Sequence, residues 1–163
     1  MHIRTAQQSD LEALLDIYNY EVVNGVSTLD LQPRTLEERQ IWFDEHNKDN
    51  HPLIVAEIDG KTVGYATLSP YRTKEAYKST VELSVYVQRE YRRQGIATAL
   101  MKEILKTARE DEITHTVVSV ITSENTGSAE LHKKFGFSYC GTIPEVGFKL
   151  GRYISIDNYY LIV

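Results

Sequence analysis

The sequence predicts an α/β or α+β fold in which helices flank a central mixed, mostly antiparallel sheet. Strand-like runs first follow one another across short turns and later alternate with helical patterns, an order typical of such sheets. The chain has 163 residues, within the roughly 100–200 residues of one average domain. No repeat or low-complexity block interrupts it. We therefore expect a single domain over residues 1–163.

The first third of the chain predicts one strand and two helices. Residues 3–6 form a short apolar strand pattern, and Ser9 and Asp10 are typical caps for the helix that follows. Apolar side chains recur at helical spacing over residues 11–22. The segment Thr35-Leu-Glu-Glu has the form of a capping box, which predicts the start of a second helix.

The middle of the chain predicts three strands. Residues 53–58 and 62–68 are β-branched apolar runs joined at Asp59-Gly60, a strong signal for a two-residue hairpin turn. Residues 80–87 alternate between apolar and polar side chains, as expected of a half-buried strand. This alternation places Glu82 on the polar face of its strand.

The last part of the chain alternates helices and strands. Apolar residues at three- and four-residue steps predict a long amphipathic helix over residues 95–110. A strand follows at 116–122, then a short helix over 128–135 that Gly136 ends. The rest, from residue 137, indicates further strands.

Composition excludes several classes of protein. The 18 basic and 23 acidic side chains give a net charge of −5, the wrong sign for a domain that must neutralise nucleic-acid phosphates. The longest apolar runs have about five residues, against the roughly 20 of a membrane helix, and the N-terminus lacks a signal-peptide pattern. We therefore expect an intracellular protein that binds neither nucleic acid nor membranes.

Metal and thiol chemistry are not expected either. The five histidines and the single cysteine show no zinc-binding spacing. Cys140 has no partner for an internal disulfide and follows an apolar stretch, which favours a buried core thiol.

A basic turn joins the 80–87 strand to the long helix. A helix N-terminus offers unpaired N–H groups and a partial positive charge, and Gly95 lets an anion approach the backbone closely. Arg89, Arg92 and Arg93 against Glu90 give the turn a charge of about +2. The pattern fits a pyrophosphate site, and from the turn alone an ordinary helix start with surface arginines fits equally well.

Two segments resemble one enzyme superfamily. The run Arg92-Arg-Gln-Gly-Ile-Ala97 is similar to the Arg/Gln-x-x-Gly-x-Gly/Ala signature of the GNAT acetyltransferases, and residues 125–137 resemble their Asn-x-x-Ser-x-x-Leu-x-x-x-x-Gly-Phe segment. The resemblance implies a GNAT fold, acetyl-CoA as co-substrate and no metal. The cofactor-binding residues that it implies are Val85, Tyr86, Val87, Arg92, Arg93, Gln94, Gly95, Ile96, Ala97, Thr98, Asn125 and Ser128.

Nearly the whole chain resembles the phosphinothricin N-acetyltransferase group within that superfamily. Residues 71–77 are similar to the group's Phe-Arg-x-Arg-x-Ala-Tyr loop, and residues 147–152 also match. The resemblance implies a cytoplasmic homodimer that acetylates a small amino-acid analogue such as phosphinothricin or methionine sulfoximine or sulfone. Lys74, Tyr153 and Ser155 depart from the pattern. The acceptor-binding residues that it implies are Arg72, Thr73, Lys74, Tyr77 and Glu82.

The resemblance also suggests catalytic residues. Acetylation needs a neutral amine, donors for the developing oxyanion and a proton for the leaving thiolate. Glu82 aligns with the group's catalytic base, and an N–H group of residues 85–87 is the expected oxyanion donor. His132 is either the acid for the thiolate or a packed helix residue. A protein or peptide N-terminal acetyltransferase and a catalytically silent acyl-CoA-binding module remain alternatives.

Overall fold

A computed structural model describes all 163 residues and shows a seven-stranded sheet flanked by four helices. The predicted fold class is confirmed. In chain order the elements are β1 (His2–Thr5), α1 (Leu11–Asn24), α2 (Leu36–Asp44), β2 (Leu53–Ile58), β3 (Lys61–Pro70), β4 (Thr80–Val87), α3 (Ile96–Glu110), β5 (Thr116–Thr122), α4 (Thr126–Lys134), β6 (Ser138–Lys149) and β7 (Arg152–Ile162). No helix is long and apolar enough to cross a membrane.

Strands β4 and β5 meet at the centre of the sheet. The strand order is β1-β2-β3-β4-β5-β7-β6, and β4·β5 is the only parallel pair. This pair covers only Thr80–Glu82 against Thr116–Val118. Because both strands continue beyond that point without pairing, an opening forms between them. We call it the β4–β5 gap.

The two faces of β4 have different surroundings, as the alternation predicts. Val81 and Leu83 are buried in the main core beside α3. On the opposite face Glu82, Ser84 and Tyr86 stand opposite Ser69, Thr67 and Tyr65 of β3. One face of the sheet is therefore packed core, and the other presents three rows of polar and aromatic side chains.

Most predicted local signals are confirmed. Thr35 and Glu38 form the reciprocal capping box, with Glu38 N–H donating to Thr35 Oγ1 over 3.2 Å and Thr35 N–H to Glu38 Oε2 over 2.8 Å. Asp59 and Gly60 have φ angles of 50° and 74°, as a type I′ hairpin turn requires.

Asp10 differs from its predicted role. Its side chain makes no cap hydrogen bond to α1. It accepts hydrogen bonds from Arg4, Thr62 and the Gln7 N–H instead. A tertiary ion pair therefore replaces the local cap.

Cys140 is exposed, so the prediction of a buried thiol is wrong. It lies on β6, the edge strand of the sheet, where most residues are exposed. An apolar stretch in the sequence suggested burial. No element covers this part of β6, so its side chains remain in contact with solvent.

Gly64 allows α3 to pack closely against β3. A Cβ atom at this position would lie 2.9 Å from the Tyr86 carbonyl oxygen and 3.3 Å from Ile96 Cγ2. We expect Gly64→Ala to lower the free energy of unfolding by about 1–3 kcal/mol, since a backbone atom must shift to make room. Gly127→Ala on α4 is the control, because nothing lies within 4 Å of its Cβ position. Denaturant unfolding of both variants tests this, and equal stabilities would contradict it.

Candidate active site

Two adjoining cavities occupy the β4–β5 gap. The Glu82 cavity has a volume of about 380 Å³ and lies over the β3–β4 face that carries Glu82. The Gly95 cavity, of about 370 Å³, extends to the N-terminus of α3. Val85, Tyr86, Asn125, Ser128 and His132 line both cavities. A ligand that spans the two would therefore pass Val85.

The Gly95 cavity has the features of an anion site. Gly95 adopts a φ of 82° immediately before α3, and Arg93 has a φ of 61°. Nothing lies within 4 Å of a Cβ built at Gly95, so the backbone there is open to a ligand. Such a turn leads the unpaired N–H groups of the first helical turn towards an anion.

Nearly all the predicted cofactor residues meet at this cavity. Gln94 is the exception, because its side chain bonds the Glu90 carbonyl and does not line the cavity. The eleven others that do are Val85, Tyr86, Val87, Arg92, Arg93, Gly95, Ile96, Ala97, Thr98, Asn125 and Ser128.

Arg92 is not a free cation. Its guanidinium forms an ion pair with Glu21, which is buried on α1, and donates to the Val87 carbonyl over 3.2 Å. The local excess of positive charge is therefore smaller than the sequence predicts, and Arg93 remains as a basic group at the cavity. Sequence reasoning missed Glu21. The available signal was a carboxylate at helical spacing from Leu14 and Ile17, on the buried face of the helix.

Val85 presents its backbone to the gap. Gln88 N–H bonds the Val63 carbonyl over 2.8 Å, so at Gln88 the backbone groups face β3. These groups alternate in direction along an antiparallel strand. The N–H and C=O of Val85 consequently face away from β3, where β5 no longer pairs with β4.

Glu82 is half-buried in its cavity, opposite Ser69 of β3. Burial raises the pKa of its carboxyl above the usual glutamate value. A carboxylate with a raised pKa is a better proton acceptor than an exposed one. Glu82 thus lines the cavity that adjoins the Gly95 cavity.

Four buried polar atoms around the Glu82 cavity have no hydrogen-bond partner within the protein. They are Thr67 Oγ1, Ser119 Oγ, Thr122 Oγ1 and His132 Nε2. Leaving such atoms unpaired is costly, with penalties of about 1–3 kcal/mol each. All four atoms belong to residues that line this one cavity.

The hydrogen bond of His132 to the backbone determines which of its ring nitrogens carries the proton. Nδ1 lies 2.8 Å from the Ser128 carbonyl, which can only accept, so Nδ1 carries the proton. Burial lowers the pKa of His132 and favours the neutral ring. Nε2 is then a buried acceptor without a partner, and an acid role would require the disfavoured imidazolium. Asn125 Oδ1 caps α4 by accepting from Ser128 N–H, while Asn125 also lines both cavities.

An aromatic wall closes the α1–α2 side of the Glu82 cavity. Tyr18, Trp42, Tyr65 and Tyr86 line it, and the Tyr65 and Tyr86 rings stack with centroids 5.2 Å apart. Behind this wall the buried Arg39 guanidinium lies 3.4 Å from the Trp42 ring centroid and donates to Tyr65 Oη over 2.8 Å. Of these four aromatic residues, only Tyr86 has a role predicted from the sequence, as a cofactor-binding residue.

The predicted acceptor loop lies elsewhere. Arg72, Thr73, Lys74 and Tyr77 line a separate, exposed cavity beside residues 49–51. Asn50 donates to the Lys78 carbonyl over 3.0 Å, which ties the loop to that region. Within one chain the structure therefore does not join these side chains with Glu82. No group of three His, Cys, Asp or Glu residues could hold a metal ion.

Comparison with known proteins defines the class. Residues 13–137 match the acetyltransferase (GNAT) family, and the chain belongs to that family. A methionine sulfoximine/methionine sulfone acetyltransferase of Pseudomonas aeruginosa is 36% identical over 155 residues, covering 94% of this chain and 90% of that protein.

Solved structures agree. A ribosomal-protein-alanine N-acetyltransferase of Brucella melitensis superposes with a TM-score of 0.96 at 38% identity and covers 100% of both chains. A phosphinothricin acetyltransferase of Sinorhizobium meliloti in complex with acetyl-CoA has a TM-score of 0.94 at 30% identity, with coverages of 99% of this chain and 88% of that one.

The protein is thus an acetyl-CoA-dependent N-acetyltransferase, as predicted. The Gly95 cavity fits its co-substrate: the open turn at Gly95 and the start of α3 suit a pyrophosphate, and the gap beside Val85 suits an extended arm.

Substitution of Gly95 tests the anion site. Asn and Asp have the same shape and tolerate a positive φ better than other side chains, but only Asp adds a negative charge. We expect Gly95→Asp to bind acetyl-CoA at least about tenfold more weakly than Gly95→Asn, because the charge repels the pyrophosphate. Calorimetry on the two folded variants measures this difference. Equal affinities would place the pyrophosphate elsewhere.

Proposed function

We propose that the chain, acting as one N-acetyltransferase domain over residues 1–163 in the cytoplasm, acetylates the amine of a small amino-acid analogue such as phosphinothricin or methionine sulfoximine or sulfone. The observation that carries this proposal is the half-buried Glu82 in a cavity of about 380 Å³ beside Val85. That volume suits a small molecule. The name of the Pseudomonas relative supports the same acceptor class.

In this proposal the Glu82 side chain and the Val85 backbone have separate roles in acetyl transfer. Acetyl-CoA supplies an acetyl group activated as a thioester. Glu82 accepts a proton from the acceptor amine, while Val85 N–H donates to the carbonyl oxygen as negative charge develops on it. A C–N bond forms, the C–S bond breaks, and CoA leaves as a thiol after it takes up a proton. His132 lines both cavities, and its Nε2 is a buried acceptor without a partner in the protein.

The acceptor's polar end meets hydroxyl groups. Hydroxyl-bearing residues line the Glu82 cavity, among them Thr28, Ser69 and Ser84, which suits an acceptor with several oxygen atoms. Arg72, Thr73, Lys74 and Tyr77 contribute to binding if their exposed loop folds towards the mouth of this cavity. Arg72 and Lys74 would then pair with the acceptor's carboxylate.

A protein N-terminal acetyltransferase is the second candidate. The Brucella structure named as a ribosomal-protein-alanine N-acetyltransferase is 38% identical to this chain. Such an enzyme would share the Gly95 cavity and accept a peptide end in place of a free amino acid. A catalytically silent module is less well supported, because a binding module needs no carboxylate at the position of Glu82.

A screen for CoA release over amino-acid analogues, polyamines and short peptides separates these functions. We expect turnover with phosphinothricin or the methionine derivatives to exceed turnover with peptides, because the cavity is small and lined by hydroxyls. Mass spectrometry of the products verifies transfer to nitrogen. Preferred turnover of alanine-terminated peptides would favour the second candidate, and tight CoA binding without any turnover would favour a silent module.

Glu82→Gln tests the catalytic base. The variant keeps the shape of the side chain but cannot take a proton, so kcat should fall about 10²- to 10⁴-fold while acetyl-CoA affinity is unchanged. Wild-type kcat/KM should fall on acidification as Glu82 is protonated. The midpoint of this fall should lie above pH ~4.3, the usual glutamate pKa, since burial raises the pKa of Glu82.

The control is Glu130→Gln on the exposed surface of α4. It should retain the wild-type rate and pH profile. Near wild-type kcat in Glu82→Gln would exclude the base role.

We also propose that the protein is a homodimer. Six apolar side chains on β6, on the turn after it and at the start of β7 are exposed, and we call them together the β6–β7 patch: Tyr139, Ile143, Val146, Phe148, Leu150 and Tyr153. β6 is an edge strand of 12 residues, and β7 is its hairpin partner. Exposed edge strands pair readily with other chains, and a two-fold axis would place β6 antiparallel to the β6 of a second copy.

Charge placed in the patch tests the dimer. Phe148→Asp combined with Tyr153→Asp should give a monomer by light scattering at micromolar concentration, since the dimer would bury these charges. Ile41→Asp, at an exposed position on α2, is the control and should leave the dimer intact. A monomeric wild-type protein would contradict the proposal.

A further inference from the structure

Ser69 is the direct neighbour of Glu82 across the β3–β4 pair. The two residues stand opposite each other, and both line the Glu82 cavity. Their backbones form a hydrogen-bonded pair, as the alternation from Gln88 shows, which sets their Cα atoms about 5.5 Å apart. An amine that contacts the Glu82 carboxylate is therefore within reach of the Ser69 hydroxyl.

A buried histidine determines which way the Ser69 hydroxyl points. His46 Nε2 lies 2.9 Å from Ser69 Oγ, and His46 Nδ1 lies 2.7 Å from the Trp42 carbonyl. A carbonyl can only accept, so Nδ1 carries the proton. The His46 ring also packs against the Trp42 ring, with centroids 4.5 Å apart, and this contact holds it in place.

Nε2 of the neutral ring is an acceptor. Burial lowers the pKa of His46 and so favours this neutral form. The Ser69 hydroxyl must then donate its only proton to His46. Its remaining lone pairs are free to accept a hydrogen bond from a group in the Glu82 cavity.

We propose that His46 and Ser69 form a positioning pair that holds one N–H of the acceptor amine beside Glu82. This inference rests on the proposed function. A hydroxyl that donates to His46 cannot also donate to the amine, so it does not compete for the nitrogen lone pair that attacks the acetyl group. Glu82 removes a proton, whereas Ser69 keeps its hydrogen bond to the remaining N–H and fixes the amine's rotation.

Steady-state kinetics of Ser69→Ala provides the first test. Loss of one hydrogen bond to the amine should lower kcat/KM for the acceptor about tenfold. The affinity for acetyl-CoA should not change, because Ser69 does not line the Gly95 cavity. Ser138→Ala, at the exposed start of β6, is the matched control and should behave as wild type. Unchanged acceptor kinetics in Ser69→Ala would overturn the proposal.

Two substitutions of His46 separate positioning from structural support. His46→Gln can place an amide oxygen near the position of Nε2, so it can still accept from Ser69. His46→Asn reaches only the position of Nδ1 and loses that acceptor. We expect the Gln variant to retain acceptor kcat/KM better than the Asn variant at equal stability. If both folded variants lost acceptor kcat/KM equally, His46 would have only a structural role.

The tautomer of His46 can be measured without any substrate. Nitrogen-15 NMR at pH 7 should show a neutral ring protonated at Nδ1, and in Ser69→Ala the Nε2 signal should shift as its donor is lost. A His46 ring protonated at Nε2 would donate to Ser69 Oγ instead of accepting from it. That result would contradict the proposal. A wild-type enzyme that acetylates no amine would contradict the proposed function instead, and the NMR result would still decide the polarity of Ser69.

Discussion

Strands β4 and β5 pair over three residues and then separate, and the rest of the site depends on this separation. A continuous parallel pair would use the backbone groups of Val85 within the sheet. Because β5 diverges, these groups face a gap, and two cavities meet there. The α3 core on one face of β4 holds the strand rigidly, so the polar rows on its other face keep a fixed geometry.

Buried polar groups hold the walls of the gap in position. Glu21 of α1 pairs with Arg92 of the basic turn, and the buried Lys149 of β6 donates to the carbonyls of Glu21 and Thr28 over 3.2 and 2.7 Å. These contacts join α1, the following loop and β6 around the cavities. Truncation of one partner would leave a buried charge unpaired, which is costly. The network is therefore expected to preserve the shape of the site.

The same type of backbone hydrogen bond orients two histidines of the protein. His46 and His132 each direct Nδ1 at a carbonyl four residues earlier in the chain, that of Trp42 or Ser128. The local backbone thus determines the tautomer, and burial keeps each ring neutral. Nε2 of His46 accepts from Ser69, while Nε2 of His132 is buried without a partner. Both rings are therefore held as neutral, Nδ1-protonated imidazoles.

Local patterns suffice to predict the strands, the long helix and the turn at Gly95, since periodicity and turn chemistry act over a few residues. They also place Glu82 on the correct face of β4. They do not predict the Glu21–Arg92 ion pair, which joins residues far apart in the chain. Nor do they show that Cys140 lies on an uncovered edge strand, or that the loop of Arg72 lies apart from Glu82. These features depend on tertiary packing, which a single sequence pattern does not encode.

Amide hydrogen exchange at Val85 tests the central claim most directly. If the open β4–β5 gap receives the arm of acetyl-CoA, addition of the co-substrate should slow exchange of the Val85 amide strongly. The Ser84 amide, which faces β3, should change little. Unchanged exchange at Val85 under saturating acetyl-CoA would show that the co-substrate binds elsewhere, and would contradict the account.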